Sequence, residues 1–241
     1  MAASNLQWHR FGSGEALAET LAESVAQLLT AAIAARGRAI LAVSGGTTPV
    51  RFFGSLSRIP IEWERVQVIL VDERFVPLSS ERSNARLVTH HLLQNEAARA
   101  FFTGLYHESD TVEDAAERAD AMMAGLPLPI DIAILGMGTD AHTASFFPDA
   151  HNIEELLSKD NEATVLAVHA DSAGEPRLTL SMRLLTQARF VALHIEGDEK
   201  KEALKAALAD DTEPPSPIRA LIESAETTVH VYWAPKQDFA S

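Results

Sequence analysis

Short, nearly continuous apolar runs alternate along this chain with longer segments whose apolar residues recur every three or four positions. The short runs are rich in β-branched residues, a pattern typical of strands buried on both faces of a sheet. They predict strands at residues 39–43, 66–71, 130–135, 164–168, 190–195 and 227–233.

The longer segments carry the periodicity of amphipathic helices. In the first of them Leu17, Leu21 and Val25 lie on one face and acidic residues on another, and Gly37 ends the pattern. Helices are predicted at residues 15–36, from near Pro49, and at 84–100, 110–125, 197–210 and 214–224. Residues 101–106 form a short apolar piece, and residues 176–185 are predicted to begin extended and become helical.

Strands that alternate with helices predict an α/β fold with a mostly parallel, Rossmann-like, doubly wound sheet and helices on both faces. No internal repeat, low-complexity tract or linker divides the 241 residues. We therefore expect one domain over residues 1–241.

Composition narrows the functional class. There is no cysteine, which excludes disulfides, thiolate zinc sites and a cysteine nucleophile. The net charge of −14 argues against nucleic-acid binding, so an anionic substrate would need a local basic pocket. No apolar run of about 18 residues predicts a membrane span, and the N-terminus lacks the pattern of a secretory signal. We expect a cytoplasmic protein with no membrane or nucleic-acid partner.

The strand predicted at residues 130–135 leads directly into reactive side chains. Gly136 and Gly138 turn the chain, and Asp140 and His142 follow within the sequence GMGTDAH. Ligands of open α/β sheets bind beyond the carboxyl ends of strands. We therefore take residues 131–150 as the candidate catalytic stretch.

GMGTDAH has three interpretations. It fits a dinucleotide-binding G-x-G-x-x-A pattern, but Pro148 interrupts the helix that should follow, and no acidic strand end lies at the expected distance. Asp140 and His142 are candidate metal ligands, but no further ligand sits at suitable spacing, so no metal is expected. In the third interpretation His142 is a general base whose imidazole is oriented by Asp140. The position of His142 just after a glycine-rich strand end favours the base.

Two other strand ends carry polar groups. Ser44, Gly45, Gly46, Thr47 and Thr48 precede a predicted helix and offer backbone N–H groups, hydroxyls and a helix N-terminus to a phosphate. An ordinary βα turn is an equally good interpretation of this loop alone.

Asp72, Glu73 and Arg74 follow the next strand, where the Arg74 guanidinium suits a carbonyl or carboxylate. A solvated charge cluster is the alternative. Arg177, and Lys200 in the first turn of a predicted helix, are candidate phosphate ligands.

These pieces occur in one order over residues 39–208: VSGGTTP, VDERFVP with the later Ser83-Asn84, GMGTDAHTASFFP, PRLTLS and GDEK. The ordered set resembles the glucosamine-6-phosphate isomerase/6-phosphogluconolactonase family, and within it the lactonases. Glucosamine-6-phosphate deaminases of that family have DEY at residues 72–74, and a glutamate-bearing FNEP at residues 145–148. This chain has DER and SFFP there.

The resemblance implies hydrolysis of 6-phospho-D-glucono-1,5-lactone without metal or organic cofactor. His142 is then the general base, Asp140 holds its tautomer, and Arg74 stabilises developing charge on the lactone oxygens. Asp72 is expected to orient Arg74 or a sugar hydroxyl. Residues 44–48 bind the phosphate with Arg177 and Lys200, and Arg183 is the substitute for Arg177. We expect a monomer or weak homodimer.

Two alternatives stay open: a glucosamine-6-phosphate deaminase, and a non-catalytic sugar-phosphate-sensing domain. The chain also departs from the family in two places. Ala141 stands where the family usually has glycine, and Phe146 where it usually has leucine. An alanine at position 141 is strained if its φ is positive.

Overall fold

The computed structural model describes residues 5–236 and places the strands in two sheets. In chain order the strands are β1 (Leu6–Arg10), β2 (Ala39–Val43), β3 (Val66–Leu70), β4 (Asp72–Arg74), β5 (Phe101–Thr103), β6 (Ile132–Leu135), β7 (Val165–Val168), β8 (Arg177–Leu180), β9 (Phe190–Glu196) and β10 (Val229–Ala234).

The helices lie between these strands. They are α1 (Gly14–Arg36), α2 (Val50–Leu56), α3 (Asn84–His91), α4 (Val112–Met123), α5 (Ile153–Leu157), α6 (Met182–Thr186), α7 (Asp198–Ala209) and α8 (Pro217–Ser224). Short 3₁₀ helices span Trp63–Arg65, Asn95–Arg99 and Asp171–Ala173.

The larger sheet has seven strands in the order β1-β10-β9-β6-β2-β3-β5, and all of its pairings are parallel. From β2 the chain adds β3 and β5 on one side, and then returns to place β6 on the other. The strand order therefore reverses between β2 and β6, as in a doubly wound sheet. Ligands of such sheets bind in the crevice at this reversal.

The core explains the continuous apolar runs. Every residue of β2 and of β6 is buried, which requires cover on both faces of the sheet. Buried side chains of both sheets belong to one hydrophobic cluster.

Helix α1 is long and apolar enough to span a membrane by length and composition, which the sequence prediction overlooked. Its buried face, including Leu17, Leu21 and Val25, nevertheless packs in the core of the fold. Length and composition also describe such core helices, so the finding is weak support for a span.

The smaller sheet is antiparallel and has the order β4-β8-β7. It pairs Asp72 with Thr179 and Arg74 with Arg177, joining segments about 100 residues apart in sequence. The sequence analysis did not predict this sheet, because nothing local in either segment encodes so distant a pairing.

Three further elements differ from the predictions. Strand β1 was not predicted, because it is a partly exposed edge strand without a continuous apolar run, and helix α5 was not predicted, because its five residues are too few to show a helical period. Helix α3 was predicted to continue to residue 100, but it ends at His91. The left-handed Asn95 (φ 51°) then redirects the chain into a 3₁₀ turn.

Candidate active site

A cavity of about 260 Å³ lies at the reversal between β2 and β6. The Ser44 hydroxyl joins the two strand ends by donating to the carbonyl of Ile134 (3.0 Å) and accepting from the N–H of Gly136 (3.2 Å). The Ser44 N–H also donates to Ile134 (3.0 Å). Both donors of Ser44 are therefore used within the fold, and its contribution is to fix the floor of the cavity.

The cavity brings together nearly all the predicted site residues. Its walls include the whole of the loop at residues 44–48 and four charged side chains from three other segments: Asp72, Arg74, Arg177 and Lys200. His142 lines the cavity from the loop that follows β6. Asp140 contacts His142 from behind and is not itself on the wall.

The loop at residues 44–48 presents unused hydrogen-bond donors. Within residues 5–236, the backbone N–H groups of Gly45, Gly46, Thr47 and Thr48 have no hydrogen-bond partner, and neither do the two threonine hydroxyls. Gly46 has a φ of 89°, which turns the loop, and a Cβ on Gly45 would lie 1.8 Å from Asn84 Oδ1. Such an arrangement suits an anion with several acceptor oxygens.

His142 and Asp140 form a pair. The Nδ1 of His142 donates to Asp140 Oδ1 at 2.6 Å, and the His142 backbone N–H contacts the same oxygen at 3.3 Å. Burial acts to raise the pKa of Asp140, but the hydrogen bond and charge of His142 outweigh it and lower the pKa below the ordinary value. Because an ionised carboxylate only accepts, Nδ1 carries a proton, and in the neutral form of the imidazole Nε2 keeps a lone pair.

The loop around this pair is tightly constrained. A Cβ on Gly138 would lie 2.3 Å from both Cε1 and Nδ1 of His142 and 2.4 Å from Asp140 Oδ1, so only glycine fits there. Ala141 has a φ of 65°, in the region that favours glycine. The departure from the family's usual glycine therefore falls on a position where alanine is strained.

Phe147 connects two functional side chains that are far apart in sequence. Its buried ring lies 4.6 Å from the imidazole of His142 and 5.4 Å from Arg177 Cζ. The two polar side chains pack on the same aromatic ring, which fixes the position of one relative to the other.

Arg74 and Arg177 are paired across β4 and β8. Arg177, only 8% exposed, donates to the carbonyls of Ala173 (2.7 Å) and Glu175 (3.3 Å). Burial and the neighbouring charge of Arg74 lower the pKa of Arg177. Two adjacent guanidinium groups on one wall favour an anionic or strongly polarised ligand.

Arg183, the sequence-based substitute for Arg177, lies elsewhere. It donates to the carbonyls of Asn161 (3.0 Å) and Glu162 (2.8 Å) and does not line the cavity. Of the two arginines, only Arg177 is placed to contact a ligand.

Asp72 lies on the wall but is not paired with Arg74. Its carboxylate accepts from the hydroxyl of the buried Ser145 (2.6 Å) and from Asn84 Nδ2 (3.4 Å). Of the two expectations for Asp72, an acceptor for a sugar hydroxyl fits this geometry better than an orienting partner for Arg74.

Glu73 has a structural role. Its fully buried carboxylate accepts from the backbone N–H groups of Arg74, Asn84 and Ala85 and from the Ser83 hydroxyl, at 2.7–3.0 Å. Burial raises the pKa of Glu73, although these hydrogen bonds oppose the increase. The carboxylate thus anchors the start of α3, which carries Asn84 to the cavity.

Lys200 enters the cavity from the first turn of α7, near His194 and Glu196 of β9. Burial lowers the pKa of Lys200, while the carboxylates of Glu196 and Glu199 oppose the shift. His194 lines the same cavity, is 2% exposed, and has no hydrogen bond at either ring nitrogen within residues 5–236.

Sequence reasoning missed His194, Phe147 and the direct role of Asn84. A lone histidine among the apolar residues at 190–195 is the signal that could have identified His194. Phe147 offers no such signal, because its role depends on contacts with residues brought close by folding.

This geometry defines an α/β protein whose cavity combines a histidine–aspartate pair, two arginines and a loop rich in unpaired N–H groups. Such a set can activate a water and hold an anionic substrate. Within the part of the chain that the structure describes, no three His, Asp or Glu side chains cluster closely enough to hold a metal ion.

Comparison with known proteins agrees with this class. Residues 12–233 match the family described as glucosamine-6-phosphate isomerases/6-phosphogluconolactonase. A 6-phosphogluconolactonase of Mesorhizobium japonicum is 53% identical over 96% of this chain and 97% of its own length. One of Rhizobium meliloti is 50% identical over 94% of this chain and 98% of its own.

A crystal structure of a 6-phosphogluconolactonase from Shewanella baltica superposes with a TM-score of 0.92. It is 38% identical and covers 96% of this chain and 98% of its own. The chain belongs to the glucosamine-6-phosphate isomerase/6-phosphogluconolactonase family. The predicted family and the predicted fold class are both confirmed.

Proposed function

We propose that this cavity carries out lactone hydrolysis: the chain converts 6-phospho-D-glucono-1,5-lactone to 6-phospho-D-gluconate, the step of the pentose phosphate pathway that 6-phosphogluconolactonases catalyse. Close relatives over nearly the whole chain bear that name. The observation that carries the proposal is the His142–Asp140 pair in the same cavity as the unpaired donors of residues 44–48.

The phosphate group binds at the loop. Four backbone N–H groups and the hydroxyls of Thr47 and Thr48 line this part of the cavity. No group within the described residues accepts a hydrogen bond from them. Arg177 and Lys200 supply positive charge from two sides of the cavity, in a protein whose net charge is −14.

His142 acts as the general base at the other end of the substrate. Its Nε2 takes a proton from water as the water oxygen forms a bond to the C1 carbonyl carbon. The tetrahedral intermediate then collapses, the bond from C1 to the ring oxygen breaks, and protonated His142 returns the proton to that oxygen. The new carboxylic acid ionises and releases one proton to solvent. Asp140 holds the imidazole in the reactive tautomer and stabilises its charged form.

Arg74 stabilises the negative charge that develops on the carbonyl oxygen. Its Nη1 donates to the carbonyl of Arg82, while its Nε is buried and without a partner within residues 5–236. A fixed guanidinium with an unused donor is suited to an oxyanion, because it needs little reorganisation during the reaction.

A deaminase acting on glucosamine 6-phosphate is the competing function within the family. Residues 145–148 of this chain contain no carboxylate, whereas the deaminases have a glutamate there. Ser145 is instead buried and donates to Asp72. The third acid/base group of a deaminase is therefore missing from the described site.

Two parallel assays separate these functions. Freshly generated 6-phosphogluconolactone should release acid faster with the protein than without it, and glucosamine 6-phosphate should release no ammonia. Ammonia release without accelerated acid release would support the deaminase. Tight sugar-phosphate binding with neither reaction would indicate a sensing domain.

We also propose that residues 1–241 act as a single cytoplasmic domain, as a monomer or weak homodimer. The continuous hydrophobic cluster that joins both sheets supports the single domain. Sedimentation equilibrium over a range of concentrations tests the oligomeric state.

A further inference from the structure

Three polar atoms lie buried and unpaired at the Lys200 side of the cavity. They are both ring nitrogens of His194 and Oε1 of Glu196, none of which has a hydrogen-bond partner within residues 5–236. The closest approach between the two residues, His194 Nε2 to Glu196 Oε1, is 3.6 Å, beyond a normal hydrogen bond. A buried polar group without a partner is destabilising, so this grouping requires an explanation.

The surrounding structure holds Glu196 in position. Its other oxygen, Oε2, is 3.3 Å from Arg51 Nη1 of α2, the helix that follows the loop at residues 44–48. A Cβ on Gly14 would lie 2.8 Å from that arginine and 2.9 Å from that oxygen, so the start of α1 closes tightly over the ion pair. The carboxylate is thus fixed beside His194, and its ion pair with Arg51 links it to α2, the helix that follows the loop at residues 44–48.

His194 lines the cavity, and few protein groups lie within hydrogen-bonding reach of its ring nitrogens. The ring packs edge-on against Phe52, at 6.3 Å between centroids, and the residue lines the same cavity as Thr47, Thr48 and Lys200. On its own strand Glu196 is the one polar neighbour, and its Oε1 lies 3.6 Å from His194 Nε2. A ligand in the cavity is the remaining source of a partner.

We propose that His194 is a further phosphate-binding residue: one ring N–H donates to the phosphate of the sugar-phosphate substrate, while Glu196 holds the other ring nitrogen. This inference rests on the proposed function, since it concerns the substrate of the same cavity. It adds a residue that sets the preference for a phosphorylated over an unphosphorylated lactone.

Phosphate binding should change the protonation state of His194. Burial lowers the pKa of His194, although Glu196 opposes the shift, and so favours the neutral imidazole over the charged one. A neutral ring facing both Glu196 and a phosphate would turn its lone pair toward one of the two anions. Phosphate binding therefore draws a proton onto His194. The charged groups around it are Glu196 on β9, Lys200 on α7, and Arg51 on α2 behind Glu196.

The test compares the wild-type protein with His194→Leu and His194→Gln. Calorimetry measures binding of 6-phosphogluconate and of gluconate in two buffers of different ionisation enthalpy. It is done at about pH 8, where a phosphate monoester, with a second pKa near 6, is a dianion. Turnover of 6-phosphogluconolactone is measured alongside. His230→Leu is the matched control, because His230 lies on the neighbouring strand β10 and does not line the cavity.

His194→Leu should weaken 6-phosphogluconate binding about 10- to 100-fold, as expected for a lost hydrogen bond to a charged group, and raise KM for 6-phosphogluconolactone in proportion, with gluconate binding unchanged. His194→Gln, which keeps a donor, should recover part of the affinity. Proton uptake on 6-phosphogluconate binding should be present in the wild type and His230→Leu and absent in both His194 variants.

The proposal is overturned if His194→Leu binds 6-phosphogluconate as the wild type does, or if it weakens gluconate equally. It is also overturned if kcat falls as far as the affinity while proton uptake persists. Failure of the proposed function has a different result, since the wild type itself would then not accelerate lactone hydrolysis.

Discussion

Replacement of Gly138 by alanine should disrupt the catalytic pair of His142 and Asp140 although neither of these residues is substituted. The added Cβ would lie 2.3 Å from His142 Cε1 and Nδ1 and 2.4 Å from Asp140 Oδ1. Unbonded heavy atoms pack at about 3.5–4.0 Å, so the groups must separate by about 1 Å or more. The backbone has little room to yield, because Gly138 N–H donates to the His142 carbonyl (2.9 Å) and Gly138 O accepts from Ala141 (3.2 Å).

The imidazole must therefore move, and the 2.6 Å hydrogen bond to Asp140 is lost. A displacement of about 1 Å in a catalytic group can cost about 100-fold in rate. We expect kcat for 6-phosphogluconolactone to fall by about that factor, with KM nearly unchanged because the loop at residues 44–48 is intact.

The assay is the initial rate of acid release, with circular dichroism and a melting curve to verify folding. Gly54→Ala is the control, since a Cβ at Gly54 of α2 meets nothing within 4 Å. A folded Gly138→Ala protein with wild-type kcat would show that the geometry of the His142–Asp140 pair does not limit the reaction.

Three further predictions concern stability. Ala141→Gly should raise the free energy of unfolding by about 0.5–1 kcal/mol, because relief of the left-handed strain exceeds the entropic cost of glycine. A lower free energy of unfolding, measured by urea denaturation, would contradict this. Glu73→Gln should lower it by about 3 kcal/mol, since an amide N–H group would face N–H donors in a fully buried site, and an unchanged urea midpoint would argue against the anchoring role. The pKa of Asp140 is lowered in the folded state, so its stabilisation is present above its unfolded pKa and is lost as the pH falls through the folded value. The stability difference between wild type and Asp140→Asn should therefore shrink on acidification, and a pH-independent difference would refute the assignment.

The parts of the fold that sequence predicts well are those with a strong local period. Strand β2 and helix α1 match their predicted ranges to within one residue, because a buried strand and a long amphipathic helix each leave a repeated pattern. The ends of β2 and β6 then place Ser44 and His142 at one edge of the parallel sheet, and Arg74 follows β3 toward the same cavity. This much of the candidate site follows from sequence order and general rules of α/β topology.

The remaining parts depend on contacts between distant segments. The β4–β8 pairing sets Arg74 beside Arg177, and Phe147 packs between Arg177 and His142, yet none of these contacts has a local signature. The positive φ of Ala141 likewise becomes visible only in three dimensions. Ser44 was expected from the sequence to bind phosphate. In the structure its N–H and its hydroxyl both donate to the carbonyl of Ile134, which joins β2 to β6.

The central claim is that His142 is the general base for lactone hydrolysis in this cavity. The most direct measurement is the rate of acid release from freshly generated 6-phosphogluconolactone by wild type and His142→Ala, with binding of 6-phosphogluconate measured on both proteins. The account predicts that kcat falls by about 10²–10⁴-fold in the variant while product affinity stays nearly constant. A variant that binds product normally and hydrolyses the lactone at the wild-type rate would contradict it.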